Sequence, residues 1–192
     1  MLDMPQRPSL APSLADQPRY TATAQVLHWL TALFVLAVLP LAWVAVSLPR
    51  DSAWKGYFFT MHKSVGITIF AIVAVRILWR AFNPAPPEVY VPRLLTVLGR
   101  INHWLLYAIF LAMPVSGYLL SAAAGNVTQY FYLFPIPALP KDEALSSAAR
   151  QIHLAGQFAV YALVALHVLA TAWHVAVRRD GLLGRMLPRQ DV

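Results

Sequence analysis

The 192-residue sequence contains no cysteine. A chain without cysteine cannot form disulfides, iron–sulfur clusters, thiolate zinc sites or thioether links to a haem, and it has no cysteine nucleophile. Charged residues are also scarce, because Asp, Glu, Lys and Arg together make up only 12% of the chain. About a quarter is usual in soluble domains. These shortages exclude thiol-based chemistry and an ordinary soluble domain.

Apolar residues take the place of the missing charges. They account for 59% of the chain, and the mean hydropathy is +0.57. Intrinsic disorder is excluded because it requires low hydrophobicity. The net charge is +7, but the charges fall between long apolar runs and do not form the stripe of a nucleic-acid-binding surface. The composition indicates an integral membrane protein surrounded by lipid, with no nucleic-acid partner.

Four apolar runs are each long enough for a membrane-spanning helix, which needs about 20 residues. They cover residues 24–48, 57–82, 101–123 and 152–177. The alternating segments of a membrane β-barrel are absent from the sequence. We predict an all-α fold, an integral membrane four-helix bundle over residues 24–178. An N-terminal tail, 1–23, and a C-terminal tail, 179–192, flank it.

The distribution of Lys and Arg predicts the orientation of the bundle, because cytoplasmic connections are enriched in these residues. Ten lie beside the termini and the connection between spans two and three: Arg7, Arg19, Arg76, Arg80, Arg93, Arg100, Arg178, Arg179, Arg185 and Arg189. Five lie on the other side: Arg50, Lys55, Lys63, Lys141 and Arg150. Both termini are therefore expected in the cytoplasm. The N-terminal tail lacks the order of a signal peptide, so we expect it to be retained.

Two of the connections have distinctive compositions. Residues 83–92 contain four prolines and are predicted to be stiff and non-helical. The longest connection, residues 125–151, is expected outside. Its segment 130–140 mixes aromatic residues with prolines, which suits a segment that lies at the interface or caps the bundle. Asp142 is predicted to N-cap a short amphipathic turn leading into span four.

All six histidines lie within or at the end of a predicted span: His28, His62, His103, His153, His167 and His174. Ionisable side chains inside a membrane are costly and usually functional. One isolated histidine would serve equally well as a hydrogen-bonding contact between helices. Six of six are difficult to explain in that way, so we expect histidines to carry the chemistry.

Four of the histidines form two pairs. His153 and His167 are fourteen residues apart on span four, hence within about 40° of one face and about 21 Å apart along the helix axis. His28 begins span one at the depth of His167, and His62 begins span two at the depth of His153. Two pairs at two depths are what two bis-histidine haems require, because a neutral imidazole nitrogen is a good iron ligand.

Two glycines accompany these pairs. Gly66 lies one turn after His62, and Gly156 lies three residues after His153. A flat macrocycle lying against a helix needs missing side chains beside its ligand. The alternative interpretation is that these glycines let two helices approach closely.

Basic residues also lie near the pairs. Arg76 is fourteen residues after His62, on the same face, and is predicted to reach a propionate of the inner haem. Lys63 directly follows His62 and is predicted to attract an anionic donor or to hold an outer propionate. Each side chain could instead extend to the membrane surface, which is the preferred interpretation for Arg80.

The two remaining histidines are more ambiguous. His103 and His174 lie at cytoplasmic helix ends, where they would supply protons, contact a quinone near the inner haem, or act only as interfacial polar residues. His174 competes with His167 as the partner of His28. We prefer His167 because His174 lies only four residues from Arg178, almost at the headgroups.

In its ordered motifs the chain resembles the bacterial cytochrome b561 family. The matching pieces are Tyr20-Thr21 with His28-Trp29, His62-x-x-x-Gly66 with Arg76, Ala112-Met113-Pro114-Val115-x-Gly117, His153 with His167, and Leu183-x-x-Met186-Leu187-Pro188-Arg189. Each piece alone is weak evidence, but the ordered set runs through nearly the whole chain. Members of this family are small four-helix cytochromes of the bacterial inner membrane, with two haems and a link to the quinone pool.

The resemblance implies that His28 and His167 bind the inner haem b, and that His62 and His153 bind the outer haem b. One branch of the family oxidises superoxide at the outer face and reduces ubiquinone. The expected function is therefore transmembrane electron transfer as a superoxide:ubiquinone oxidoreductase. Relatives in the wider superfamily imply an alternative, the cytochrome b subunit of a larger dehydrogenase or hydrogenase. A transporter that uses the histidines for metal ions or protons is a third hypothesis.

Overall fold

The computed structural model describes residues 18–87 and 92–188. Most of the predicted N-terminal tail, the middle of the proline-rich connection, and Arg7 and Arg189 lie outside the described residues. The described residues contain four long helices: α1 (Ala22–Ser47), α2 (Ala53–Phe82), α3 (Arg93–Ala122) and α4 (Glu143–Trp173). All four are long and apolar enough to span a membrane. The prediction of an all-α, four-helix membrane fold is confirmed.

The helices extend beyond the apolar runs that predicted them. α3 begins at Arg93 instead of residue 101, and α4 begins at Glu143 instead of residue 152. The reason is that apolar runs reflect the thickness of the hydrocarbon layer, whereas a helix can continue into the polar interface. Asp142 caps α4 itself, not a separate turn, and its carboxylate accepts the Leu145 N–H at 2.9 Å.

The far end of α4 is irregular. A π-helical turn, His174–Arg178, follows Trp173 directly. Arg179 then adopts a left-handed conformation with φ 51°, and its N–H donates to the His174 carbonyl at 2.7 Å. These residues turn the chain sharply back towards the bundle.

The helices pack as two antiparallel pairs. α1 lies along α2, α3 lies along α4, and α2 also contacts α3. A small apolar core joins the first three helices: Val35, Val65, Ile69, Val73 and Tyr107. The backbones of α1 and α4 approach each other only loosely.

A short β-hairpin follows α3. Strands β1 (Thr128–Tyr130) and β2 (Phe134–Ile136) pair antiparallel, with Thr128 opposite Ile136. Strands in this segment were not predicted. Phe131 and Tyr132 both have positive φ, 47° and 60°, as the tight turn of a hairpin requires.

The hairpin docks onto α2. The hydroxyl of Ser64, which is fully buried, accepts the Phe131 N–H at 2.8 Å. The Tyr130 hydroxyl lies 3.0 Å from that of Thr68, and the Phe131 ring packs against the apolar core. Of the two arrangements left open by the sequence, capping the bundle is the one found.

Candidate functional site

Two histidine pairs lie inside the bundle. We call His62 and His153 the outer pair, and His28 and His167 the inner pair, after the predicted orientation. The ring centres of the outer pair are 6.2 Å apart with perpendicular planes, and those of the inner pair are 6.1 Å apart. The structure therefore brings together the four histidines in the combinations that the sequence predicted.

Both histidines of the outer pair are held through Nδ1. His62 Nδ1 lies 3.0 Å from the Val38 carbonyl oxygen. His153 Nδ1 lies 3.1 Å from the Met113 carbonyl oxygen and 3.0 Å from the Ser116 hydroxyl. A carbonyl oxygen can only accept, so each ring carries its proton on Nδ1 and keeps the Nε2 lone pair free. This is the arrangement of metal-binding imidazoles.

The separation of the rings also fits a shared metal. An imidazole nitrogen binds a transition metal at about 2 Å, so ligands on opposite sides have ring centres about 6 Å apart. Within residues 18–87 and 92–188, no three His, Asp or Glu side chains are grouped to hold a bare metal ion. A pair of histidines supplies only two donors, so a metal held here would need its other donors from a macrocycle such as a haem. The donor set favours a haem over the metal-ion-transporter hypothesis.

Gly117 allows His153 to lie close to α3. A Cβ atom at position 117 would lie 3.0 Å from His153 Cε1 and 3.3 Å from Nδ1. Any side chain at this position would therefore push the ring away from the Met113 carbonyl. Neither Gly117 nor Ser116 was singled out as a site residue from the sequence. Gly117 entered only as part of a family motif, because nothing in its spacing reveals a neighbour on another helix.

A cavity of about 940 Å³ adjoins the outer pair. Its lining includes His62, Lys63, Gly66, His153, Lys141 and Arg150. This volume is at the upper end of the range for small-molecule and cofactor sites. A Cβ at Gly66 would meet no atom within 4 Å, so this glycine adds to the free space, as predicted for a macrocycle site.

Gly156 has a different environment. A Cβ at this position would lie 2.6 Å from the sulfur of Met113 on α3. The structure therefore places Gly156 at a close contact between α3 and α4, which is the alternative that the sequence left open. A role in clearing space for a macrocycle remains a prediction.

Lys63 points towards α3 within the cavity. Its Nζ donates a hydrogen bond to the Ser121 hydroxyl at 2.7 Å. The side chain is half-buried and lines the cavity that adjoins His62. In this position its charge faces the cavity, whereas an extended side chain would face the membrane surface.

The inner pair has two further neighbours. The ring of His103 lies 5.3 Å from that of His167. Arg76 Nη2 lies 2.9 Å from His28 Nδ1, and its guanidinium lies 5.3 Å from the Tyr107 ring centre. Arg76 is thus at the depth of the inner pair, as its spacing from His62 predicts.

The contact between Arg76 and His28 restricts the chemistry of the inner pair. A guanidinium can only donate, so His28 Nδ1 accepts and the proton of a neutral ring lies on Nε2. Binding iron through Nε2 would require Arg76 to leave Nδ1. A negatively charged group beside the ring, such as a propionate, would attract Arg76 away. The residues present therefore fit a haem if Arg76 turns towards it.

His174 contacts Asp180 and does not face His28. Its Nδ1 lies 2.6 Å from an Asp180 carboxylate oxygen, which also accepts from Arg178 Nε at 3.0 Å. Burial alone would raise the pKa of Asp180, but hydrogen bonds from His174, Arg178 and the Leu182 N–H outweigh it and lower that pKa. The structure brings His167, and not His174, to His28. Asp180 was not singled out from the sequence, since its partner is set by the π-helical turn.

A model of the prokaryotic cytochrome b561 family matches residues 19–189. The chain belongs to this family. It is similar to "Cytochrome b561 homolog 2" of Escherichia coli (strain K12), with 31% identity over 176 residues, 90% of this chain and 93% of that protein. It is also similar to "Probable superoxide oxidase CybB" of Yersinia pestis, with 29% identity over 177 residues, 90% of this chain and 97% of that protein.

Membership of the cytochrome b561 family has three direct consequences. The chain is a multi-pass membrane protein, its cofactor is a b-type haem, and its activity is transmembrane electron transfer. The family resemblance inferred from the sequence motifs is confirmed. The similarity to a probable superoxide oxidase points to oxidoreductase activity.

Substituting Arg76 tests whether this cation faces a haem. We expect Arg76→Gln to lower the reduction potential of one haem by on the order of tens of millivolts, because a nearby cation favours the electron-rich reduced state. A redox titration followed by visible absorbance measures the potential of each bound haem. Arg80→Gln, one turn along the same helix, is the matched control and should leave the potential unchanged. An unchanged potential in Arg76→Gln with intact haem content would refute the assignment.

Proposed function

We propose that this cytochrome b561 binds two haems b and carries electrons from superoxide at the outer face to ubiquinone at the inner face. His62 and His153 would hold the outer haem, and His28 and His167 the inner haem. The observation that carries the proposal is the outer pair, in which both Nδ1 atoms face acceptors and both Nε2 atoms are free. When bound, the haems supply the one-electron redox chemistry.

The outer cavity suits a small anionic donor. Lys63, Lys141 and Arg150 line it, against the single carboxylate of Glu143. A cavity with walls of one charge concentrates ions of the opposite charge and speeds their association. Two superoxide anions would each lose one electron here and leave as dioxygen. Lys63 is the cation next to the ligand His62, so we assign it the largest part in attracting the donor or in holding a propionate.

The inner face would serve the quinone pool. Reduction of one ubiquinone to the quinol takes two electrons and two protons. His103, beside His167, and His174, beside Asp180, are proposed to pass protons from the cytoplasm or to contact the quinone. This assignment rests on the predicted orientation, in which both termini are cytoplasmic and the membrane is the bacterial inner membrane.

Stopped-flow mixing with superoxide tests the proposal. We expect superoxide to reduce the haems at a rate that falls with ionic strength. We expect the rate in Lys63→Gln to fall by up to about tenfold at low salt, because steering towards the cavity is weakened. Lys55→Gln is the matched control, since Lys55 lies on the same predicted side but donates to the Leu48 carbonyl at 2.6 Å. A salt-independent rate with no effect of Lys63→Gln would contradict the steering role.

The same experiment separates the two hypotheses for the family. If superoxide fails to reduce the haems of the isolated wild-type chain, the superoxide oxidase proposal is wrong. The chain would then act as the cytochrome b subunit of a larger dehydrogenase or hydrogenase. Co-purification of a large redox partner from native membranes would identify that case.

A further inference from the structure

Residues 180–188, beyond α4, fold back across the end of the bundle where α1 begins and α4 ends. We call this segment the C-terminal clasp. A 3-10 turn, Leu183–Met186, forms its middle. The clasp contacts the residues that precede α1, the first turns of α1 and the connection after α2. It therefore joins parts of the chain that are far apart in sequence.

Arg185 is the anchor of the clasp, and only 4% of its surface is exposed. Its Nε donates to the Pro18 carbonyl at 2.9 Å, and its Nη2 donates to the Pro87 carbonyl at 2.6 Å. The guanidinium also lies 6.0 Å from the Tyr20 ring centre. Within the described residues no carboxylate pairs with Arg185. A buried cation is costly unless its donors are satisfied, so these carbonyl contacts hold the segment at a defined position.

Backbone carbonyls of the clasp accept hydrogen bonds from the start of α1. The Arg185 carbonyl accepts the Tyr20 N–H at 3.2 Å and Gln25 Nε2 at 3.3 Å. The Met186 carbonyl accepts the indole N–H of Trp29 at 2.7 Å. Gln25 is itself buried, with 7% of its surface exposed. These bonds connect the clasp to nearly two turns of α1.

The hydrogen bond from Trp29 to the Met186 carbonyl lies beside the inner pair. His28 precedes Trp29 in the chain, and their ring centres are 5.1 Å apart. The backbones of α1 and α4 make few close contacts, and a hydrogen bond between these helices, from Trp43 Nε1 to the Tyr161 hydroxyl at 2.9 Å, lies about four turns from His28. The clasp is the covalent continuation of α4, and its hydrogen bonds hold the start of α1.

We propose that the C-terminal clasp fixes the start of α1 and so keeps His28 opposite His167, with Arg185 as the positioning residue. The part of this proposal that concerns a haem rests on the proposed function. The part that concerns α1 does not. Arg185 would thus be more than one of the basic residues that orient the chain in the membrane.

The test compares Arg185→Lys, which keeps the charge, with the wild-type chain in lipid nanodiscs. Lysine cannot reach both the Pro18 and the Pro87 carbonyls as the planar guanidinium does. We expect hydrogen exchange in the peptide 18–30 to become about tenfold faster. In the haem-loaded chain, the spectrum and potential of the inner haem should change while those of the outer haem stay the same. Arg93→Gln, an exposed arginine at the same end of the bundle, should change neither measurement.

Gln25→Leu is the second variant, in case Arg185→Lys fails to fold. It removes the hydrogen bonds from Gln25 Nε2 to the Arg185 carbonyl at 3.3 Å and to the Tyr20 carbonyl at 3.0 Å, at similar volume, and should give the same pattern with smaller amplitude. Unchanged exchange in peptide 18–30 would overturn the proposal, as would equal changes in both haems, which would make Arg185 a general stability residue. If the wild-type chain binds no haem, the proposed function fails, and the exchange measurement alone still decides whether the clasp holds α1.

Discussion

His153→Ala is expected to leave the purified chain with one b haem in place of two. The ring of His153 lies 6.2 Å from that of His62, and no other histidine ring of the described residues lies beside this pair. Losing one of the two histidines that would hold the outer haem should therefore release it. His167→Ala should release the inner haem for the same reason. Haem extraction and quantification per chain, with the reduced-minus-oxidised spectrum, measures which haem is lost.

His174→Ala is the matched control for His167→Ala. His174 is seven residues further along and contacts Asp180, so its removal should leave both haems in place. Retention of both haems in His167→Ala, with loss of one in His174→Ala, would show that His174 is the ligand. It would also require α4 to shift from the position described here.

Gly117→Leu is expected to cause the same loss of the outer haem as His153→Ala, although the ligand itself is unchanged. Even a single Cβ would lie 3.0 Å from His153 Cε1, and the larger leucine side chain cannot fit unless the ring moves. The moved ring would lose its contact with the Met113 carbonyl and its position opposite His62. The expected haem content is about one per chain.

Gly99→Leu is the control for this variant, because Gly99 is on the same helix and a Cβ there would meet no atom within 4 Å. It should keep both haems and tests the effect of removing a helix glycine alone. Normal haem content in Gly117→Leu would mean that His153 does not rest against α3. The contact between His153 Nδ1 and the Met113 carbonyl would then be incorrect.

The fold and the histidine pairs could be predicted because they follow from periodicity and depth. Apolar runs of membrane length predict spanning helices, and a separation of fourteen residues places His153 and His167 on one face. The same arithmetic placed Arg76 at the inner pair, where the structure finds it 2.9 Å from His28. These features depend only on one helix at a time and on the antiparallel order of the spans.

Features that depend on contacts between distant segments could not be predicted. The role of Gly117 is visible only when α3 and α4 are packed together. The sequence predicts only a topology role for Arg185, because its partners, the carbonyls of Pro18 and Pro87, carry no side-chain signature. The hairpin at residues 128–136 is not predicted from the sequence, since its turn uses Phe131 and Tyr132 where glycine or asparagine is usual.

The different surroundings of Gly66 and Gly156 also could not be predicted from the sequence. Both follow a predicted ligand histidine closely, and the sequence treats them alike. In the structure one borders the outer cavity, and the other lies against Met113 of the neighbouring helix. Spacing identifies the face of a helix, but the neighbour on that face depends on how the helices are rotated and packed.

Electron transfer across a sealed bilayer tests the central claim most directly. The purified, haem-loaded chain is reconstituted into liposomes that contain ferricyanide, and the membrane-impermeant reductant dithionite is added outside. We predict that the internal ferricyanide is reduced with the wild-type chain, and that His153→Ala and His167→Ala each abolish this reduction. Failure of the wild-type chain to reduce the internal ferricyanide, with its haems fully reducible in detergent, would contradict the account.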